Sequence, residues 1–381
     1  MPNTLTSLAA DIYKAADIVG RELVGLIPSV TINGGAERAA KGDTVRSAFT
    51  RAQTVNTSYA PAMTIPEGTD QTVDNKTMTL DKYASVQIPW TGEEQKHLAN
   101  GVGYETVYGD QIAQAYRTIS NKIELDLWAA VRVGASRAHG TAATTPFASN
   151  FNELPQLRKI LQDNGMPFNG QVSAIMDTAA GANLRSLAQL QKVNEAGGSE
   201  LLRQGTMLDL QGFMLKESGQ IGLVTKGTGA SYTSNSAGYA IGITSITLIT
   251  GTGTILAGDV VTFTGDTNKY VVATALTGGV VVLAAPGLRK ALAASAVALT
   301  VGGDYTANVA LHRNAAELAI RPPAEPAGGD AADDKMIVVD SHSGLAFEIA
   351  SYKGYMKRMI EVRCLYDVKV WKSDAVALLL G

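Results

Sequence analysis

The sequence holds few of the residues from which active sites and metal sites are usually built. Of its 381 residues, one is cysteine and four are histidine. A single cysteine excludes an intramolecular disulfide and a thiolate metal cluster. No apolar run approaches the roughly 18 residues that span a bilayer. The N-terminus lacks a basic region followed by an apolar core, so we expect neither a signal peptide nor a membrane partner.

Strong charge is missing as well. Charged residues make up 18% of the chain and the formal net charge is -3, which gives no sign of a nucleic-acid footprint across the whole surface. Hydrophobic residues make up 45%, which is typical of globular proteins, and the length suits two or three domains. The 39 glycines are more than helices favour, and they predict many turns and hairpins.

Local catalytic and metal-binding motifs are also absent from the sequence. The histidines are scattered, and none has a partner at the spacing of a local metal site: His97, His139, His312 and His342. There is no Gly-x-x-x-x-Gly-Lys-Ser/Thr phosphate loop. Gly101-Val102-Gly103 precedes a predicted helix like a dinucleotide-binding turn, but no predicted strand comes before it and the third glycine is missing.

Three further candidates are better explained by structure than by chemistry. Cys364 lies on the apolar side of a predicted strand, where a thiol that fills space is more typical than a nucleophile. The pairs Glu93-Glu94 and Asp333-Asp334 are expected to cap a helix or face solvent. Because triads assemble from distant positions, an enzyme remains an open alternative. We assign no catalytic, cofactor-binding or metal-binding residue, and no cofactor.

Residues 104–137 predict one long amphipathic helix. Its larger apolar residues recur in steps of three and four: Ile112, Tyr116, Ile119, Ile123, Leu127 and Val131. A helix of that length spans roughly 50 Å, which suits a scaffold better than a reactive pocket. The alternative is an ordinary long core helix of an enzyme. We expect the apolar stripe to pack on a sheet that includes the last predicted strand.

The N-terminal region predicts a helix over residues 5–27, ended by Pro28 and Asn33-Gly34-Gly35. Such a helix can dock on its own domain or on a neighbouring subunit, and the sequence does not separate the two. Residues 41–49 then predict an extended strand, and Ala84, Val86, Ile88 and Trp90 alternate as a return strand.

Between these strands lies a polar segment, residues 53–77, with few large apolar side chains. Connections of this length within a compact domain are unusual and are usually either functional or disordered. A two-stranded arm buries too little surface to be stable by itself, so it needs another surface to lie on. The alternative is a surface loop or an active-site lid.

The pattern becomes α/β over residues 152–225. Earlier in the chain, before the long helix, Thr91 is the expected cap of a short helix that runs through Leu98. Further on, helices are predicted at 152–162 and 179–193, with Asp177 as a cap, and strands at 172–176 and near 212–216.

Residues 227–303 are rich in glycine, threonine and valine and poor in charge. Short β-branched runs at 243–250, 259–264, 270–276, 280–284 and 297–301 alternate with glycine turns, which predicts a small sandwich or barrel. Because α/β-like sequence resumes afterwards, this region is interpreted as an insertion.

The C-terminal part predicts mostly strands. Residues 313–320 look helical or mixed, and the prolines that follow cannot continue a helix, so 328–334 is predicted to be a mobile acidic loop. Strands are predicted at 336–340, 345–349 and 356–371, and the last has the clearest alternation of the chain.

In the order and kind of these elements, the chain resembles the major capsid proteins of tailed phages. It is most similar to the P22-like coat proteins, which carry an inserted β domain on the HK97-like fold. The stretches that carry the resemblance are KGDTVR at 41–46, LPQL at 154–157, QVSAIMD at 171–177, LAGDVVTF at 256–263, GLAF at 344–347 and VRCLYDVKV at 362–370.

The resemblance implies an α+β, HK97-like capsid fold with a long spine helix, an extended β-hairpin arm, a peripheral β sheet, an α/β axial domain and an inserted small all-β domain. It divides the chain into an N-terminal helical arm (1–40), an extended arm with the start of the peripheral domain (41–92), the spine helix and peripheral domain (93–150), the first part of the axial domain (151–225), the inserted domain (226–306), the second axial part with a proline-rich loop (307–335) and C-terminal strands of both domains (336–381).

The implied function is structural and not enzymatic. Such subunits form pentamers and hexamers of an icosahedral virion shell, assemble in the host cytoplasm around a scaffolding protein and a portal protein, and enclose double-stranded DNA without reading its sequence. The arm at residues 45–88 would lie over the adjacent subunit. Two alternatives from other classes stay open, namely a hydrolase-like α/β enzyme with a β insertion and a glycan-binding virion surface protein.

Overall fold

The computed structural model describes residues 22–35, 37–49, 55, 61, 63–65, 74–99, 104–191 and 209–381, and the structural statements below concern these residues. The chain is a mixed α+β protein in which strands predominate, as the sequence predicted. The helices are α1 (Gly92–Ala99), α2 (Tyr104–Val133), α3 (Glu153–Asp163), α4 (Thr178–Ser186) and α5 (Ala188–Gln191). Within the described part, no helix is long and apolar enough to cross a lipid bilayer.

The described strands, numbered in chain order, form three sheets. The six-stranded sheet contains β1 (Thr31–Gly34), β4 (Lys82–Thr91), β16 (Ala316–Arg321), β17 (Ala332–Val339), β18 (Ala346–Gly354) and β19 (Lys357–Val370). A separate hairpin consists of β2 (Thr44–Phe49) and β3 (Asp74–Thr79). The twelve-stranded sheet contains β5 (Arg137–Gly140), β6 (Val172–Met176), β7 (Met214–Glu217), β8 (Leu223–Val224), β9 (Thr233–Ser234), β10 (Ser245–Ile249), β11 (Val260–Phe263), β12 (Lys269–Thr277), β13 (Val280–Leu283), β14 (Leu299–Val301), β15 (Tyr305–His312) and β20 (Val376–Leu380).

Helix α2 packs its apolar stripe on the six-stranded sheet, as the sequence predicted. Ile119, Ile123, Leu127 and Val131 are buried in one core with β19 side chains, and the Tyr116 ring stacks on Phe347 with centroids 5.3 Å apart. The cause is the periodicity of both elements. A helical stripe of period 3.6 meets the alternating inner face of a strand, and each removes the other's apolar surface from water.

The predicted end of this helix at Arg137 is wrong. The helix ends at Val133, and Arg137–Gly140 is β5, which pairs in parallel with β20 and in antiparallel with β12. A Cβ on Gly134 would lie 2.9 Å from the Val370 side chain, so the chain passes β19 too closely for another residue type. The extended backbone of β5 is satisfied by its two neighbouring strands, which the local sequence does not show.

The predicted N-terminal helix is wrong at its end. Residues 5–21 lie outside the described part, but the following residues are not helical until a short 3-10 turn at Ile27–Ser29. The backbone N–H groups of Gly25, Leu26 and Ile27 donate to the buried carboxylate of Glu124 on α2. A distant side chain therefore sets the local conformation.

The return strand of the predicted arm was also misassigned. β2 pairs with β3 from Thr44↔Thr79 to Phe49↔Asp74, whereas β4, with Ala84 and Trp90, pairs along its whole length with β19. β3 has almost no apolar alternation, so its place comes from the pairing with β2 and from the burial of Met78. β4 alternates clearly because it belongs to the six-stranded sheet, where one of its faces packs in the core.

Residues 313–320 are mostly strand and not helix. A 3-10 turn at Arg313–Ala315 leads into β16, which pairs with β1 and β19. β16 is buried on both faces, so its sequence does not alternate. The predicted loop 328–334 ends early because β17 begins at Ala332, and the predicted helix 179–193 breaks at Leu187 between α4 and α5, with its last two residues outside the described part.

Other local predictions are confirmed. Thr91 and Glu94 form a capping box: the Thr91 hydroxyl accepts from the Glu94 N–H, and the Glu94 carboxylate accepts from the Thr91 N–H. Asp177 caps α4 by accepting from two backbone N–H groups. The five β-branched runs between residues 243 and 301 are β10 to β14, and they share a core of their own.

Candidate assembly surface

The hairpin β2–β3 is attached to the rest of the chain only near its base, as far as the described residues show. Met78 and Leu80 are buried with Leu365 and Trp371. Two lysine ammonium groups tie the hairpin to the six-stranded sheet: Lys76 donates to the Trp371 carbonyl at 2.5 Å, and Lys369 donates to the Thr77 carbonyl at 2.9 Å. The base is thus fixed by apolar burial and by hydrogen bonds.

Beyond the base, the described residues leave apolar side chains in water. Val55, Met63 and Ile65 are 80%, 105% and 91% exposed, respectively. These lie in the segment between β2 and β3. Single exposed apolar residues are common, but three within eleven positions of one connection form a candidate contact surface.

The backbone that leads into the hairpin is clamped by a proline-rich loop. The Arg38 guanidinium bonds Glu348 at 2.5 Å, Glu325 at 2.6 Å and the Pro323 carbonyl at 2.8 Å. The backbone of Ala39 exchanges hydrogen bonds with the loop on either side of Pro323. These contacts fix the direction in which the hairpin leaves the sheet.

A buried cluster of charges lies beneath this clamp, on the face of the sheet away from α2. Arg363 contacts Glu348 at 2.8 Å and Glu361 at 3.4 Å, and Glu348 is almost fully buried. Burial would raise the pKa of Glu348, but hydrogen bonds from Arg38 and Arg363 outweigh it and lower the pKa overall. The Arg363 pKa is raised despite its burial because it donates to Glu348. Glu348 and Arg363 are therefore both charged near neutral pH.

The loop carries its own ion pairs at the rim of this cluster. Lys335 contacts Asp330 at 2.5 Å and Glu325 at 2.9 Å. The hydrogen bond from Lys335 lowers the pKa of Asp330, and the same contact raises the pKa of Lys335. Glu325 and Asp330 are thus paired with Lys335, whereas the sequence predicted a mobile acidic loop over residues 328–334.

A second exposed apolar surface lies at the edge of the six-stranded sheet. Among the described strands, β17 pairs only with β18, and Met336, Ile337 and Val339 on it are exposed. Tyr355 and Met356, in the turn between β18 and β19, are exposed as well. A free strand edge with apolar side chains is a surface to which other strands or subunits bind.

The histidines considered in the sequence do not come together. His97 is exposed on α1, and His139 is half-buried on β5. His312 accepts a hydrogen bond from the Asn314 N–H, and His342 bonds the Glu22 carbonyl. Burial lowers the pKa of both His139 and His312. No group of three or more potential metal ligands is found among the described residues.

The remaining candidates from the sequence are the cysteine, the two acidic pairs and the glycine turn. Cys364 is buried between α2 and the sheet, and burial raises its pKa to about 12. Glu94 belongs to the capping box, Glu93 is exposed, and Asp333 pairs with Lys353 at 2.7 Å. Gly101-Val102-Gly103 lies outside the described part.

Sequence reasoning missed the two buried carboxylates that organise this region, Glu124 and Glu348. Glu124 lies on the buried side of α2, and Glu348 lies on the face of β18 opposite to Phe347. The pairing partners of Glu348 lie at positions 38 and 363, and Glu124 binds backbone near position 26. A carboxylate within an otherwise apolar or strand pattern was the available signal, but its partners depend on tertiary structure.

No protein-family model and no curated protein sequence matches the chain. Among solved structures, it is similar to one from Mycobacterium phage Che8, with 16% identity and a TM-score of 0.50 over 100% of this chain and 98% of that chain. It is also similar to the capsid structure of the Cyanophage P-SCSP1u, with 10% identity and a TM-score of 0.52 over 96% of this chain and 91% of that chain. At these identities the similarity shows a shared fold.

Proposed function

We propose that this chain is the major capsid protein of a tailed phage, a structural subunit that self-assembles into the icosahedral shell around double-stranded DNA. The observation that carries the proposal is the hairpin β2–β3, with a fixed base and exposed apolar side chains beyond it. It occurs in a chain whose fold matches a cyanophage capsid chain over nearly its whole length.

The elements of the HK97-like fold are assigned as follows. Helix α2 is the spine helix, the hairpin β2–β3 is the extended arm, and the six-stranded sheet forms the peripheral domain. Strands β6, β7, β15 and β20 with α3 and α4 form the axial domain. Strands β9 to β14 form the inserted domain of P22-like coat proteins, at residues 226–306, and their separate apolar core supports a unit within that range.

In the shell, the arm lies over the adjacent subunit and buries the side chains around Met63. A two-stranded ribbon gains little stability from its own contacts, so burial against a neighbour supplies what the isolated arm lacks. The same contact repeated about an axis closes a ring, because each subunit gives its arm to the next. Pentamers and hexamers of this kind build the closed head.

The partners follow from this role. Assembly occurs in the host cytoplasm around a scaffolding protein, and a portal protein occupies one vertex. The DNA is enclosed without sequence readout, and the net charge of -3 is consistent with an inner wall that does not trap it. No catalytic step is assigned to the chain.

Electron microscopy and sedimentation of the purified protein test the proposal. We expect uniform closed particles of many subunits, with or without co-expressed scaffolding protein. A small monodisperse oligomer under all conditions would refute it. In that case, turnover on hydrolase substrates or binding to a glycan array would separate the enzyme and glycan-binding alternatives.

A further inference from the structure

A small polar pocket lies where three elements meet. It is lined by β5, by the outer side of α3 and by the turn from Thr267 to Lys269 that leads into β12. The cavity has a volume of about 160 Å³, room for about five water molecules. It joins the region of β9 to β14 to α3, and none of the features described above accounts for it.

Cations outnumber anions in the lining. Arg137, Lys159 and Lys269 line the pocket, with Asp163 as the one lining carboxylate among the described residues. Neither lysine has an ion-pair partner in the described part of the chain. Lys159 is exposed, and Lys269 donates to the carbonyl of Gly140.

The pKa of His139, which also lines the pocket, is sensitive to these charges. Burial lowers its pKa first, and the charges of Lys269 and Lys159 lower it further, while Glu153 opposes them. Burial lowers the pKa of Lys269 as well. The lining thus sets one guanidinium and two ammonium groups against one carboxylate, and an anion would offset the excess positive charge.

The guanidinium of Arg137 has an unused donor. Its Nη1 donates to Asn268 at 3.0 Å, and its Nη2 donates to the Ile160 carbonyl and to Asp163, both at 3.2 Å. The side chain is only 5% exposed, yet its Nε has no hydrogen-bond partner. Buried donors without partners are uncommon in native proteins, and this one leaves the guanidinium with hydrogen-bonding capacity that its protein partners do not use.

We propose that this pocket binds a phosphate group through Arg137, Lys159 and Lys269, either as free phosphate or as a phosphodiester of nucleic acid. A phosphate offers acceptor oxygens to an arginine and to two ammonium groups at once. The bound group joins the turn before β12 to α3. The proposal concerns a pocket within one subunit, so it does not depend on shell assembly.

Inorganic phosphate is the first probe. The full chain is titrated with sodium phosphate at constant ionic strength set with sodium chloride, and the thermal midpoint and the heat of binding are measured. We expect a saturable rise in the midpoint, because a ligand that binds the folded state stabilises it. Equal midpoints in phosphate and chloride would overturn the proposal.

Two variants assign the effect to the pocket. Lys159→Ala replaces an exposed residue on α3 by the best helix former, so folding is expected to be kept, and Lys159→Glu reverses the charge. We expect the Kd for phosphate to rise about tenfold in the first and further in the second. Lys357→Ala, an exposed lysine on β19, is the matched control and is expected to bind like wild type. If Lys159→Glu also binds like wild type, the pocket is not the site.

A short fluorescent DNA duplex separates the two sources of phosphate. Binding that weakens in Lys159→Glu but not in Lys357→Ala, and that phosphate competes away, identifies a phosphodiester as a ligand of the pocket. If inorganic phosphate binds but DNA binding is the same in Lys159→Glu and the wild type, the ligand of the pocket is free phosphate. Failure of both probes would reject the site whether or not the protein forms shells.

Discussion

Leu26 donates its backbone N–H to the carboxylate of Glu124 at 2.7 Å, in the interior of the protein. The N–H groups of Gly25 and Ile27 reach the same carboxylate at 2.8 and 2.9 Å. Glu124 is fully buried, and these three donors solvate its charge in place of water. The contact fixes the start of the described chain to the middle of α2. It also leads directly into β1, which forms one edge of the six-stranded sheet.

The first prediction is that Glu124→Gln destabilises the subunit. The amide presents an N–H₂ group to backbone donors, so at least one buried N–H loses its acceptor. We expect the free energy of unfolding to fall by about 2–3 kcal/mol. Urea denaturation of unassembled subunits, followed by tryptophan fluorescence, measures the change.

Gln114→Ala serves as the control, since Gln114 is exposed on the same helix. Its effect should stay within about 0.5 kcal/mol. Equal stabilities of Glu124→Gln and the wild type would show that water replaces the carboxylate and that the contact does not hold the N-terminal segment.

The second prediction concerns acid stability and the Glu348 cluster. The pKa of Glu348 is lowered from its ordinary value of 4.5 by Arg38 and Arg363 in spite of burial, so the folded state binds this proton less tightly than the unfolded state. Its stabilising contribution is therefore present above that ordinary value and is lost as the pH falls through the folded pKa. Glu348→Gln should cost about 3 kcal/mol at neutral pH and should flatten the loss of stability on acidification.

Denaturation with urea at a series of pH values from neutral to acid checks both parts. Asp333→Asn is the comparison, because Asp333 pairs with Lys353 at 2.7 Å but both side chains are largely exposed. Exposed pairs contribute little, so this variant should follow the wild-type curve. An unchanged pH profile in Glu348→Gln would contradict the role assigned to the buried cluster.

How far the sequence predicts this fold depends on whether an element has one buried face or two. β19 and β4 alternate because one face carries apolar side chains against α2 and the other carries polar and charged ones, so both were predicted as strands, although β4 was assigned to the arm. β15 and β20 are buried on both faces, so Tyr305–His312 and Val376–Leu380 show no period that distinguishes a strand from a helix. Their strand identity comes from pairing with each other.

The candidate surface was predicted only in outline. The composition between residues 53 and 77 indicated an arm, but the register Thr44↔Thr79 depends on Met78 reaching a pocket formed by Leu365 and Trp371. The clamp by Arg38 likewise joins positions some 300 residues apart, and a single sequence carries no signal for contacts at that distance.

The third prediction is that Cys364 is inert in the native protein. The thiol is 1% exposed and burial raises its pKa to about 12, so almost no thiolate is available to react near neutral pH. A chromogenic disulfide reagent should label no thiol in native buffer and one thiol per chain in urea. Rapid stoichiometric labelling of the native subunit would show that α2 separates from the sheet readily.

The fourth prediction concerns the arm. Replacement of residues 50–73 by Asn-Gly should leave the subunit folded but unable to form stable shells. Phe49 and Asp74 are paired, so a two-residue turn can join β2 to β3 directly. The anchors at the base remain, since Lys76 and Met78 are retained. Unfolding by urea tests the fold, and electron microscopy with sedimentation tests assembly.

A double point variant separates the loss of chain length from the loss of apolar contact. Met63→Ser with Ile65→Ser changes two fully exposed side chains, so the stability of the unassembled subunit should stay within about 0.5 kcal/mol of wild type. If a neighbouring subunit covers these side chains, their loss removes about 3–5 kcal/mol per arm contact, by the cost of exposing two large apolar groups. The yield of closed particles should then fall steeply. Closed particles at wild-type yield from either variant would mean that the shell is held by other surfaces, of which the exposed edge strand β17 is the next to test.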